Sequence, residues 1–351
     1  MIKRRKSKEL YIKDVKIGGD APISVQSMCN TDTRDIEKTS AQIKNLAEAG
    51  CEIVRVAVLN SDAAEAVKEL VKASPVPLVA DIHFDYRLAI QCINNGIDAL
   101  RLNPGNIGKH ENIVKVVTLA KERKIPIRIG VNAGSLEKEL YEENIPLHEK
   151  MVKSALKHIN ILEDLDFDLI KVSLKSSDVL TTIEAYRLIA EKIPYSLHLG
   201  VTEAGTLKSG LIKSSVGLGT LLAEGIGDTI RVSLTEDPIE EVKAGFEILK
   251  SLGLREKGVN FISCPTCGRT QIDLIGLAKK VEEKFKNLDK PITIATMGCA
   301  VNGPGEAKHA DFGIAGGINE GYIFCKGEII AKVPENQLLE KLEEIIIKSY
   351  K

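Results

Sequence analysis

No excess of either charge runs through this chain: 48 Lys and Arg stand against 49 Asp and Glu. Without a global field, composition offers nothing toward nucleic acid or a membrane surface as partner, and function has to be local. Long apolar runs are also missing. No stretch reaches the roughly 20 residues that a membrane-spanning helix needs. The basic start, from Met1 to Lys8, is not followed by the apolar segment of a secretory signal. The seven cysteines lack the spacing of a disulfide framework. In a chain able to bury a full core, that pattern suits free thiols in a reducing cytoplasm.

At 351 residues the chain is too long for one average domain and suits a large barrel with a smaller module. After a polar leader, short apolar and often β-branched runs recur at 23–28, 53–58, 78–82, 99–102, 127–131, 169–174, 196–201 and 230–234. The gaps hold segments of helical period, among them 62–73, 113–124 and 239–252. Eight strand–helix units in about 230 residues predict an α/β fold, a (β/α)8 TIM barrel. An open doubly wound sheet is the alternative, although it usually has fewer strands. Gly50, Gly96, Gly225 and Gly253 are placed to close helices, and Asp237-Pro238 to open one.

Five of these runs carry a cation: Arg55, Arg101, Arg128, Lys171 and Arg231. They are expected together at the C-terminal strand ends, where barrel active sites lie. Strands of an all-parallel barrel are covered on both faces and should be apolar throughout, so each buried cation needs a partner. Asp81, Asp98, Asp168 and Glu203 are available for internal pairing. Five cations at one end are hard to neutralise that way, and a polyanion, first of all a diphosphate, is the expected counter-ion. Asp81 and His83, Asn103, Asn132, and His198 with Glu203 close further strands at the same end. A lone strand histidine is more often a hydrogen-bonded core residue than a catalyst. Lys175 reads equally as a phosphate contact or a solvated loop lysine. Gly217-Leu218-Gly219-Thr220 reads as a glycine-rich loop, a weak phosphate signal. Cys29, Cys51 and Cys92 carry no assigned function.

Near Glu256-Lys257-Gly258 the pattern changes, dividing a barrel domain of 1–257 from a module of 258–351. A strand over 259–262 leads into Cys264-Pro265-Thr266-Cys267 and a helix from about 270 to 285. A strand over 292–295 leads into Gly298-Cys299-Ala300-Val301-Asn302-Gly303-Pro304-Gly305-Glu306. Then come a strand at 312–315, a hairpin over 322–331 and a helix over 335–349. Thiolates and a carboxylate in glycine- and proline-rich turns suit an iron–sulfur cluster, because glycines let the backbone approach a bulky group and donate N–H groups to its sulfides. A structural zinc site is the alternative. It would need Cys325 or His309 as fourth ligand, and Cys325 reads as an ordinary buried thiol at a strand end. The tight triple-cysteine spacing of a cluster that binds adenosylmethionine is absent.

Cys264-Pro-Thr-Cys267-Gly-Arg-Thr, Met297-Gly-Cys299-Ala-Val-Asn-Gly-Pro-Gly-Glu306, Pro22-Ile-Ser-Val-Gln-Ser-Met28 and Ile230-Arg-Val-Ser-Leu-Thr235 together resemble the 4-hydroxy-3-methylbut-2-enyl diphosphate synthases of the non-mevalonate isoprenoid pathway, in their two-domain bacterial form. The likeness covers essentially the whole chain. It implies a [4Fe-4S] cluster on Cys264, Cys267 and Cys299, with Glu306 as an exchangeable fourth ligand and catalytic group. It implies reductive opening of 2-C-methyl-D-erythritol 2,4-cyclodiphosphate with electrons from ferredoxin or flavodoxin. The substrate-binding set it implies is Arg55, Asp81, His83, Arg101, Asn103, Arg128, Asn132, Lys175, Glu203, Arg231 and Ser233, with a weaker warrant for Lys171. It further implies a head-to-tail homodimer in the cytoplasm, with neither nucleic acid nor membrane as partner. Two other readings stay open: a non-redox iron–sulfur dehydratase of a diphosphate, which would turn over without reductant, and a cluster-bearing sensor, which would bind a ligand without forming product.

Overall fold

The polar leader folds. In the computed structural model, which describes residues 2–299 and 307–350, strands β1 (Leu10–Ile12) and β2 (Val15–Ile17) form an antiparallel hairpin. Leu10, Ile12 and Ile17 are buried against Ile53, Val79 and Ala99. Those three partners lie at or near the starts of the barrel strands, so the hairpin plugs the barrel's N-terminal end. Alternation over so few residues was too short a signal to separate from a polar leader.

Eight parallel strands then close on themselves: β3 (Ser24–Met28), β4 (Ile53–Ala57), β5 (Leu78–Asp81), β6 (Ala99–Arg101), β7 (Ile127–Asn132), β8 (Ile170–Lys175), β9 (Ser196–Leu199) and β10 (Thr229–Ile230). Closure through β10 and β3 excludes the open doubly wound sheet. The helices are α1 (Ile36–Glu48), α2 (Ser61–Ala73), α3 (Tyr86–Asn94), α4 (His110–Arg123), α5 (Lys138–Glu142), α6 (Leu147–Glu163), α7 (Val179–Lys192), α8 (Leu207–Ala223) and α9 (Pro238–Ser251). Their placement follows local chemistry. The Asn60 side chain accepts from Ala63 N to start α2, which buries Ala63, Val67 and Leu70 along one stripe. Asp237 caps α9 with Pro238 in its first turn. Gly225 ends α8 at φ 80°, where any side chain would run into the Lys3 carbonyl. The run Gly217-Leu218-Gly219-Thr220 is not a loop but lies inside α8. Gly217 there lets the helix approach Val201, whose Cγ2 is 2.9 Å from where a Cβ would stand.

The chain divides into two compact units between Arg255 and Glu256. The second holds β11 (Asn260–Ser263), α10 (Leu274–Phe285), β12 (Thr293–Met297), β13 (Phe312–Gly316), β14 (Glu320–Cys325), β15 (Glu328–Pro334) and α11 (Leu338–Ser349). Its strands form one sheet in chain order, parallel from β11 to β13 and antiparallel thereafter. Val281 and Phe285 of α10 and Leu338, Leu342 and Ile346 of α11 pack on Ile294 and Ile314. α10 begins at Leu274, later than the expected 270, because the preceding residues are used by the cysteine turn and Asp273 caps the helix through Gly276 N. Among the described residues no helix is long and apolar enough to cross a membrane.

The plug is testable. Ile12→Ala removes a side chain that is 1 % exposed and is expected to cost about 2–5 kcal/mol. Equilibrium denaturation of the variant measures it, and a loss below about 0.5 kcal/mol would mean that the hairpin does not seal the barrel.

Candidate active site

Alternation along the barrel strands decides what faces the axis. Val54, Val56, Ala80, Leu100, Ile129 and Val172 belong to the apolar core shared with the helices. The other parity buries Gln26, Arg55, Asp81, Arg101, Arg128, Lys171, Ser173, Lys175, Ser196 and His198. The expectation of strands apolar throughout is therefore corrected: the inner layers that usually fill such a barrel with branched side chains are largely polar here.

The cations do not form one ring at the strand ends. Asp81, Arg101, Arg128, Lys171 and Ser196 are register neighbours on successive strands. Asp81 and Arg101 end their strands, Arg128 and Lys171 come second in theirs, and Ser196 comes first. Barrel strands tilt by about 36°, so a row of register neighbours descends from mouth to floor. Lengths of apolar runs do not reveal that stagger.

Near the mouth, Arg101 Nη1 donates to Asp81 Oδ1 (3.1 Å) and Nη2 to the Gly130 carbonyl (2.9 Å). Arg55 Nε lies 3.6 Å from Asp81 Oδ2, and Arg55 Nη2 rests 2.9 Å from Met28 Sδ. Asn103 holds the Gly130 peptide on both sides, donating to its oxygen at 3.1 Å and accepting from its N–H at 2.8 Å. A Cβ on Gly130 would meet Arg101 Nε at 2.5 Å, so the glycine makes room for the guanidinium. Arg128 Nη1 donates to Ser173 Oγ at 2.7 Å. Lys175 is the last residue of β8 and buried against Gly200, not a solvated loop lysine. His83 is half exposed, with Nε2 3.6 Å from Asp81 Oδ1. Asn132 ends β7, half-buried. The eighth barrel strand, expected over 230–234, is only Thr229–Ile230, so Arg231 and half-buried Ser233 follow it.

Of the four acids available for pairing, only Asp81 enters this cluster. Asp98 accepts from Leu78 N, Asp168 pairs with Lys8, and Glu203 is exposed with φ 51°. Sequence reasoning missed Glu241. From the first turns of α9, where an acid looks like ordinary dipole matching, it accepts from Ser27 Oγ and Leu234 N, both at 3.0 Å, and stands 3.5 Å from Arg231 Nε.

In the second unit, parallel pairing of β11, β12 and β13 sends Cys264 and Cys299 off neighbouring strands at one end of the sheet. Gly298 N donates to Cys264 Sγ at 3.1 Å, and Gln271 N donates to the Gly298 carbonyl at 3.1 Å. Cys267 is exposed, its N–H bonded to Thr270 Oγ1 at 3.3 Å. Hydrogen bonds from the Arg269 backbone, and then its side chain, lower the Cys267 thiol pKa. Cys325 is half-buried rather than buried and lies at the opposite end of β14, four residues beyond Gly321 and so roughly 13 Å along the strand. His309 is near that opposite end too, since Lys326 N donates to the Ala310 carbonyl. Neither candidate for a fourth zinc ligand stands with the other cysteines. Among the described residues no three His, Cys, Asp or Glu side chains are gathered for a single metal ion. Glu306 lies outside the described residues.

Residues 7–246 match the family model described as the GcpE TIM-barrel domain, and residues 260–348 match the GcpE protein C-terminal domain. The chain belongs to the GcpE family. Among curated relatives, "4-hydroxy-3-methylbut-2-en-1-yl diphosphate synthase (flavodoxin)" of Geobacter sulfurreducens is 58% identical over 352 residues, covering 99% of this chain and 100% of its own. The protein of that name from Clostridium perfringens is 59% identical over 344 residues, 98% of this chain and 99% of its own. Of solved structures, dihydropteroate synthase from Stenotrophomonas maltophilia aligns with a TM-score of 0.53 at 11% identity, over 70% of this chain and 98% of that one, a likeness of fold alone. The resemblance read from the motifs thus agrees with the GcpE matches along both units.

Electrostatics in this GcpE barrel reflect a shortage of negative charge. Burial pushes Arg55 down to about 10, an effect that Asp81 partly offsets. Burial, then Arg231 and Arg128, holds Lys175 well below its ordinary value. For Asp81, burial alone would raise the carboxyl, but Arg55, Arg101 and Arg128 together outweigh it and the net shift is downward. A carboxyl with a lowered folded pKa stabilises above its unfolded value and loses that contribution as pH falls through the folded one. Asp81→Asn is therefore expected to cost about 3–5 kcal/mol at neutral pH. The gap from wild type should shrink as pH drops below about 4, where the carboxyl of the unfolded chain takes up a proton before the folded one does. Denaturation of both proteins across that range checks this, and a gap independent of pH would remove the charge from the account.

Proposed function

We propose that this chain reductively opens 2-C-methyl-D-erythritol 2,4-cyclodiphosphate to 4-hydroxy-3-methylbut-2-en-1-yl diphosphate. The observation that carries the reading is a set of buried cations that outnumbers its two carboxylates, Asp81 and Glu241, which calls for a polyanion. The barrel's guanidinium and ammonium groups, Arg55, Arg101, Arg128, Lys175 and Arg231, would hold the diphosphate. Asn103, Asn132, Ser233, His83 and Asp81 would supply neutral and titratable contacts at the mouth, and Glu203, on an exposed turn, would complete the set. Glu241 holds Arg231 and the backbone at Leu234 in place.

The cysteine end fits an iron–sulfur group. Its thiols leave one sheet end, a backbone N–H already points at Cys264 Sγ, and the candidates for a closed zinc shell stand elsewhere. Cys264, Cys267 and Cys299 would hold a [4Fe-4S] cluster, with Glu306 as fourth ligand and as the residue that passes a proton. When bound, the cluster supplies the electrons. Two electrons enter, the C–O bond to phosphate breaks so that the ring opens, and the C3 hydroxyl leaves as water after taking up a proton. The barrel cations balance the charge that develops on the freed phosphate oxygen. The donor is flavodoxin or ferredoxin, in the cytoplasm.

Protein purified without air is expected to carry about four iron and four labile sulfide per chain, and to turn over the cyclic diphosphate only with reduced flavodoxin or ferredoxin. Zinc without sulfide would overturn the cluster. Turnover without reductant would replace reduction by dehydration.

The substrate cations and the thiols belong to different units, and a head-to-tail homodimer would join them across subunits. Mixing Cys299→Ala chains with Arg101→Ala chains is expected to recover part of the activity that each variant lacks. Confirmed heterodimers with no activity would show that each site is made within one chain.

A further inference from the structure

Below the mouth lies a second polar level of which the proposed reaction uses Arg128 alone. Gln26, Arg128, Lys171, Ser196 and His198 are all at least 97% buried, with relative exposures of 1%, 3%, 2%, 0% and 0%. Lys171 Nζ, Arg128 Nε and Nη2, and both polar atoms of the Gln26 amide have no hydrogen-bond partner among the described residues. Gln26, Arg128 and Lys171 line an enclosed cavity of about 10 Å³, floored by Ile12 of the hairpin and walled by Val79, Ala99, Leu100 and Pro126. That space accommodates one solvent-sized species. A diphosphate is far too large for it.

No acid reaches this level. Burial, then Arg128, pushes Lys171 down to about 7; Asp228, which acts the other way, is already engaged by Ser7 Oγ at 2.7 Å, Leu197 N at 2.8 Å and Arg4 Nη2 at 3.3 Å. Arg128 cannot shed its proton, and Asp81 is taken by Arg101 and Arg55. One water would satisfy hydrogen bonds here but leave the Arg128 charge uncompensated, whereas an anion compensates it and favours protonated Lys171 as well.

We propose that this chamber is an anion site, holding one small monovalent anion of the halide class between Lys171 Nζ, Arg128 and the Gln26 amide. The site shares Arg128 with the proposed diphosphate site, while Lys171 and Gln26 belong to it alone. It completes the barrel core as a structural counter-ion sealed in by the hairpin.

Diffraction from crystals of the full chain in sodium bromide, collected at the bromine edge, tests it. An anomalous peak among Lys171, Arg128 and Gln26 is expected. So is a melting midpoint a few degrees higher in chloride or bromide than in gluconate at equal ionic strength, a difference that Lys171→Met abolishes. A bromide-free chamber holding only water overturns the proposal, and so does a halide effect that survives in Lys171→Met. If that variant does not fold, the wild-type diffraction experiment still decides.

Discussion

Burying a guanidinium costs several kcal/mol unless a counter-charge lies within reach, and the barrel buries Arg55, Arg101 and Arg128 around one carboxylate, Asp81. Much of the remaining construction answers that cost. The apolar parity of the strands has to supply the cohesion that an ordinary barrel also draws from its inner layers, which is why Val54, Leu100, Ile129 and Val172 are wholly buried under the helices. The N-terminal hairpin shuts water out beneath the charges. Gly130 and Gly200 give up side chains so that Arg101 and Lys175 can fold against backbone, and Asn103 fixes the Gly130 peptide whose carbonyl receives Arg101.

Sequence carried the barrel and its cations because both are written in short-range pattern. β-Branched runs at regular spacing gave eight strands, and glycines such as Gly225 marked helix ends. Depth was invisible. Arg101, Arg128 and Lys171 occupy similar places in their own runs, yet tilt carries them from rim toward floor. Partner choice was equally hidden: Asp98, Asp168 and Glu203 seemed as available as Asp81, but only Asp81 projects into the cluster. Glu241 escaped notice because a helix-start acid has a sufficient local reason to exist.

The second unit shows the reverse balance. Its cysteines were conspicuous in sequence, and what the fold adds is the removal of alternatives. Parallel pairing of β11 through β13 gathers the strand ends that carry Cys264 and Cys299, while antiparallel β14 takes Cys325 the other way. Cys264 and Cys299 follow neighbouring strands at one end of the sheet, and Cys325 is turned away by strand direction.

Unbalanced charge also links ligand to fold. A polyanion that neutralises the row relieves the repulsion among Arg55, Arg101, Arg128 and Lys175, and whatever binds the folded barrel alone stabilises it. On the proposed function the diphosphate would relieve that repulsion, so part of its binding energy would be the recovery of a cost already met in folding. Arg101, Arg128 and Arg231, held by Asp81, Ser173 and Glu241, would need little rearrangement to collect it. The apolar shell outside the strands, from Val54 to Val172, anchors the backbone that carries these cations.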